Sequence, residues 1–193
     1  MRIDDHAARS IRAAWAIIAG RKTAMTELDL TPDGLWRSFS AIIISAPALA
    51  MGWLALTGED MLLGPVPYPL WNIFTYAAGD LAAWTVPLLL FAIASRPLGL
   101  ADRFTAYVVA TNWGSVIIAW LMAPAALLRF MLPGEQAVTP FLIFVTFGFS
   151  LAAVWRLTHA AIGKGALVTT AVFLAMFMAG MLVLQAVKLL TGV

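Results

Sequence analysis

The chain has 193 residues, 62% of them hydrophobic and only 11% charged, with 12 Lys and Arg against 10 Asp and Glu and a formal net charge of +2. Soluble domains carry about 25% charged residues and roughly 45–50% apolar ones, so a chain with a mean hydropathy of +0.91 lacks the polar surface to cover its own core. A soluble enzyme, a disordered chain and a nucleic-acid-binding domain are excluded. What remains is an all-α, polytopic transmembrane helix bundle.

Residues 1–30 predict a separate cytoplasmic element, an amphipathic helix followed by a linker. At about 100° per residue, Ile3, Ala7, Ile11, Ala14, Trp15 and Ile18 share one face, and Arg2, Asp5, Arg9 and Arg12 share the other. That pattern describes an interfacial helix, with Trp15 at headgroup depth and Arg9 and Arg12 towards anionic lipid. Such a helix either tethers the chain and helps to set its topology, or senses lipid or docks a partner. No cleavable signal peptide is predicted. The apolar stretch from Ala13 to Gly20 is short, Asp4 and Asp5 precede it, and no A-x-A site closes it.

Residues 31–193 predict five spans, each near the length of about 20 apolar residues that a bilayer requires. They run over Leu35 to Thr57, Pro69 to Ala94, Arg103 to Ala126, Thr139 to Thr158 and Ala166 to Leu190. The breaks carry helix stop and start chemistry. Thr31, Pro32 and Asp33 supply a cap, a proline at the first helical position and an acid in the first turn. Gly64, Pro65, Pro67 and Pro69 form the next break, and Pro97 ends the second span. Asp102 is the expected cap of the third span and Pro133-Gly134 its end. Thr139-Pro140 opens the fourth, and Gly163-Lys164-Gly165 separates the last two. Pro47, Pro87 and Pro124 fall within spans, where they are expected to kink helices rather than end them.

Basic residues fix an expected orientation. Alternate sides of the five spans hold ten and two Lys or Arg, the two being Arg129 and Lys188. The excess predicts a cytoplasmic N-terminus and an extracytoplasmic C-terminus in a bacterial-type inner membrane.

Asp80 is the one acid predicted inside a span, about eleven residues into the second. A carboxylate there costs about 2.5–3.5 kcal/mol on insertion scales. Asn72, Tyr76 and Asp80 follow one another at intervals of four, and Asn112 in the antiparallel third span lies at similar depth. These four form a candidate intramembrane polar site in which Asp80 and Asn112 meet. One reading is a site for a proton or a cation. The other is a network of interhelical hydrogen bonds worth about 0.6–2 kcal/mol each. No basic residue is placed at matching depth. Glu59-Asp60 reads as a solvated pair in a loop, Arg156 as snorkelling to phosphates, and Gln185 and Lys188 as reaching outer headgroups. Trp36, Trp53, Tyr68 and Trp71 read as interface anchors. Ala171, Ala175 and Ala179, and likewise Ala48 and Gly52, form small-residue faces that let helices approach closely.

Zero cysteines exclude disulfides, thiolate metal sites and cysteine nucleophiles. With only His6 and His159, far apart, no metal site and no cofactor are predicted. No P-loop, G-x-G-x-x-G, G-x-S-x-G or H-E-x-x-H pattern occurs, so no catalytic residue is assigned. Five spans do not divide into two inverted halves, against the common transporter plans.

The layout resembles the Yip1-domain family of small five-span proteins with a cytoplasmic N-terminal region. The stretches that carry the likeness are Arg103-Phe104-Thr105-Ala106-Tyr107 and Val154-Trp155-Arg156-Leu157 leading to Ala166. The D-L-Y-G-P signature of its eukaryotic members is missing, with only Leu63-Gly64-Pro65 in its place. The resemblance implies membrane organisation or partner binding without enzymatic activity and assigns no site residue. The expected function is a non-catalytic scaffold, assembly factor or accessory subunit. Its expected partners are membrane lipids and a membrane protein or a second copy. The alternative is a small proton- or cation-coupled transporter or channel using Asp80 with Asn112.

Overall fold

The computed structural model describes residues 3–66, 68–132 and 138–192. Arg2, Pro67, Pro133 and Gly134 lie outside them, as do the side chains of Ile3 and Asp4. Among the described residues the chain forms seven α-helices and no strand: α1 (Ile3–Ile18), α2 (Pro32–Ser38), α3 (Ala41–Leu63), α4 (Pro69–Ser95), α5 (Phe104–Met131), α6 (Val138–Ile162) and α7 (Gly165–Thr191). Two short 3-10 turns, Lys22–Glu27 and Ala101–Arg103, precede α2 and α5. Helices α2 and α3 together, and α4, α5, α6 and α7 singly, are long and apolar enough to cross a membrane. The architecture is that of an integral membrane protein.

The start of the first span follows its sequence. Thr31 Oγ1 accepts from the Gly34 amide at 3.1 Å, with Pro32 at the first helical position. Asp29 extends the cap, accepting from Thr31 Oγ1 at 2.6 Å and from the Thr31 amide at 3.1 Å. Gly34 is required here, since a Cβ would stand 2.2 Å from the Asp29 carbonyl oxygen. Between α2 and α3 the ladder tightens, with Ser40, Ile42 and Ile43 amides bonding three residues back. Ser38 and Ser40 hydroxyls also bond back to Leu35 and Arg37 carbonyls, which is how serine bends a helix. Helices α3, α4 and α5 continue through Pro47, Pro87 and Pro124.

Two expected caps differ. Asp102 lies in the 3-10 turn and pairs with Arg103 at 3.0 Å instead of capping α5. Thr139 lies within α6 (Val138–Ile162) rather than before it. The last turn of the bundle forms as read: Gly163 and Gly165 adopt φ of +62° and +86° around Lys164, a conformation costly for residues with a Cβ.

Helix α5 is the centre. It packs against α1, α2, α3, α4 and α6, while α7 packs on α4 and α6. Its buried face, with Tyr107, Val108, Val109, Asn112 and Trp113, meets Ile17, Leu157 and Ile162 in the core. Outward-facing Ile93, Phe144 and Leu189 are each more than 70% exposed, as lipid-facing positions are.

Helix α1 is not a free interfacial element. It lies against α5, α6 and the first 3-10 turn, and its buried residues are His6, Ala7, Ser10, Ala13, Ala14, Ile17 and Ile18. This face is rotated by roughly 65° from the one that apolar residues alone predict. The small Ser10 and Ala13 permit close contact with α5, and bulky Trp15 turns outward, 53% exposed, on the same open side as Arg9 and Arg12. Arg156, exposed at this end, also has a partner within the chain. Its Nη1 donates to the Ile18 carbonyl at 2.6 Å, satisfying an orphan acceptor at the C-terminus of α1, where a cation also complements the helix dipole.

Gly114 sets the contact between α5 and α6, for a Cβ there would stand 2.2 Å from Leu157 Cδ1. Gly114→Ala lowers stability by about 1–3 kcal/mol, the usual cost of overpacking. Combined with Leu157→Ala it loses less than the two single losses summed, as read from thermal unfolding in detergent. The bonds from Thr31 hold the Asp29 carboxyl below its ordinary value of 3.8. A depressed carboxyl stabilises the fold above its unfolded value, and that contribution disappears as pH falls through the lower folded value. Acidification below 3.8 therefore frees the Thr31 and Gly34 amides to exchange hydrogen faster, and Asp29→Asn removes this pH step.

Candidate functional site

Four hydrogen-bonding residues lie along one stripe of α4. Asn72, Tyr76, Asp80 and Trp84 recur every four residues and so lie above one another on a helix face. Each reaches a neighbouring helix. Asn72 Nδ2 and Tyr76 Oη donate to Asp60 Oδ2 of α3, at 3.1 and 2.6 Å. Asp80 Oδ2 accepts from Trp53 Nε1 of α3 at 2.7 Å. Trp84 Nε1 donates to Asn112 Oδ1 of α5 at 3.1 Å.

Asp80 and Asn112 therefore do not meet. Asn112 is fully buried, and its Nδ2 donates to Ser38 Oγ at 2.8 Å. With Trp84 on its oxygen, the one amide ties α2, α4 and α5 together where the first span bends. The expected pairing misses by one turn of α4, about 6 Å, because Trp84 reaches the amide first. Asn72 and Tyr76 likewise serve Asp60 instead of Asp80. Trp84 continues the interval of four begun by Asn72. That spacing was the available signal, and the residue escapes notice because tryptophan reads as apolar.

Three other expectations change at this end. Glu59 and Asp60 sit in the last turns of α3 rather than in a loop, and both are partnered. Arg129 of α5 donates from Nε and Nη2 to the two carboxylate oxygens of Glu59, a two-pronged geometry that guanidinium favours. Trp53 is not an interface anchor but the donor to Asp80. Trp36, Tyr68 and Trp71 are exposed, as anchors would be.

Asp80 separates two cavities. One, of about 350 Å³, lies between α3, α5 and α6 and includes Trp53, Ser115 and Arg129 in its walls. The other, of about 170 Å³, lies between α3, α4 and α7 and includes Tyr76 and Lys188. Two basic residues thus border the spaces that the carboxyl group faces, although neither is level with it in its own helix. The Arg129 guanidinium is engaged with Glu59, and Lys188 is exposed.

Helices α6 and α7 are joined by a pair not anticipated as such. Trp155 and His159 stack with centroids 5.0 Å apart. Trp155 Nε1 donates to Thr170 Oγ1 at 3.1 Å, and His159 Nδ1 lies 3.0 Å from Thr169 Oγ1. Among the described residues, no group of three or more His, Cys, Asp or Glu side chains is placed to hold a metal ion. Comparison with protein-family models, with curated proteins and with solved structures returns no match.

Replacing Asn112 by Leu keeps the branched shape of the side chain but leaves the Trp84 indole without its acceptor, and leaves Ser38 Oγ with only its bond to the Leu35 carbonyl. Stranding a buried donor such as the indole N–H costs about 1–3 kcal/mol. Asn112→Leu is expected to lower the unfolding midpoint in detergent markedly, and adding Trp84→Phe and Ser38→Ala to it restores part of the loss.

Proposed function

We propose that this chain is a non-catalytic membrane component that binds other membrane helices or lipid, as a scaffold, assembly factor or accessory subunit does. The observation that carries this reading is the use made of the polar stripe. The side-chain groups that would serve a reaction or a pathway are committed to joining helices: Asp60 and Asp80 hold α3 to α4, Glu59 holds α3 to α5, and Asn112 holds three helices. Hydrocarbon supplies no substitute for these bonds, so they serve cohesion first. The exposed side of α1, with Arg9, Arg12 and Trp15, has the composition of a lipid interface, and the excess of basic residues at that end favours its placement in the cytoplasm of a bacterial-type cell.

A second reading has one observation in its favour. Asp80 borders two cavities that also touch Arg129 and Lys188, and an ionisable group beside internal space is the usual mark of a proton or cation path.

Proteoliposomes with Asp80→Asn decide between them. Asparagine retains an acceptor for Trp53 Nε1, so on the scaffold reading the variant folds and retains the same co-purifying membrane proteins in mild detergent. The wild-type chain then carries no more proton or cation flux than empty vesicles. Flux through wild-type vesicles that Asp80→Asn abolishes gives the second reading instead.

A further inference from the structure

An apolar groove of about 680 Å³ lies between α4 and α7, open along its outer edge, where Leu90, Leu98 and Leu167 are at least half exposed. Its walls are apolar throughout, with Ala94, Ala171, Ala175 and Ala179 forming the recess and the larger residues its rim. Along α7 it extends from Leu167 to Ala179, a rise of about 18 Å. One leaflet is half of a hydrocarbon core about 30 Å thick. The groove is therefore about as long as one leaflet is deep.

Its shallow end carries charge. Leu98 and Leu100 line the groove, and the carbonyl of Gly99 between them accepts from Lys164 Nζ, so the lysine stands at the mouth. Arg96 closes the same turn, its carbonyl accepting from the Gly99 amide at 3.1 Å. Its exposed side chain makes no hydrogen bond or ion pair among the described residues. Arg103 borders the turn that holds Gly163, next to Lys164. Against these three cations stands one acid, Asp102, which is 3.0 Å from Arg103 and 4.0 Å from Lys164.

We propose that this groove holds one acyl chain of an anionic phospholipid, with the phosphate-bearing headgroup at Arg96 and Lys164. A packed helix from a second copy would also fill an apolar recess, but it would place hydrocarbon beside the cationic mouth and leave Arg96 unneutralised. A phospholipid matches both ends at once: a chain of one leaflet's length for the groove and a negative headgroup for the basic turn. The inference stands on the groove and its rim and does not require the scaffold reading.

Native mass spectrometry of the full chain, released from detergent after addition of dioleoylphosphatidylglycerol or dioleoylphosphatidylcholine, tests it. One phosphatidylglycerol is expected to remain bound in preference to phosphatidylcholine. A cation near a headgroup contributes about fivefold in affinity, so Arg96→Gln with Lys164→Gln removes the preference, lowering phosphatidylglycerol retention by about an order of magnitude or more while barely changing phosphatidylcholine. Ala175→Phe fills the groove and lowers retention of both lipids. Equal retention of the two lipids by the wild-type chain overturns the proposal, as does a preference that survives the double substitution. So does loss of a second copy, rather than of lipid, in Ala175→Phe. The double substitution alters exposed side chains, so it remains decisive if Ala175→Phe does not fold.

Discussion

Hydrocarbon offers no hydrogen-bond partner, and this constraint organises the structure. An amide such as that of Asn112, fully buried, must find both a donor and an acceptor within the chain or lose several kcal/mol. It finds Ser38 and Trp84, and in doing so it fixes the bend of the first span against the middle of α5. The Trp53 bond to Asp80 and the Tyr76 and Asn72 bonds to Asp60 obey the same rule at successive turns of α4. Apolar packing distinguishes poorly between one helix register and the next in lipid, since tails are as apolar as leucine. A polar stripe with named partners does distinguish them, because a slip of one turn breaks the bonds from Trp53 to Asp80 and from Tyr76 to Asp60.

This division of labour explains why α5 carries so much of the burial. It contacts five other helices, and its small or medium residues at Ala106, Ala110 and Gly114 allow neighbours to approach on several sides. The close fit of Gly114 to Leu157 is the extreme case. Helix α1 then closes one end of the bundle through Ala13, Ala14 and Ile17, and Arg156 secures its last carbonyl.

The five spans were legible in the sequence because length and hydropathy alone decide them, and the caps at Thr31 and the glycines at 163 and 165 because each is a local requirement of the backbone. What composition does not show is how a helix is turned towards its neighbours or how far it slides along them. Asp80 and Asn112 were matched by counting residues from span ends, and such counts carry an error of one turn when neighbouring helices start at different heights. The face of α1 was read from apolar residues, whereas close packing on α5 selected small ones, Ser10 and Ala13 among them. Arg156, Glu59 and Trp53 were each read by type, as a snorkelling cation, a solvated acid and an interface anchor. Their partners, Ile18, Arg129 and Asp80, lie 138, 70 and 27 residues away in the chain, beyond what any local pattern encodes.

The two ends of the bundle are held by different forces. Near α1, large fully buried side chains, Trp113, Ile17, Leu157 and Ile162 among them, interlock, and Asn112 and Arg156 add polar ties to that packing. Towards Glu59 and Arg129 the helices leave the two cavities beside Asp80, and dispersion contacts across a void are lost outright. There the charged and polar bonds of α3, α4 and α5 supply the cohesion that packing does not. An interlocked core resists local opening, while an end joined by a handful of directional bonds can exchange partners when a ligand or another helix offers better ones. Any movement that the bundle makes in binding a partner is therefore expected to begin at the Asp60 and Asp80 end, with the α1 end as the fixed base.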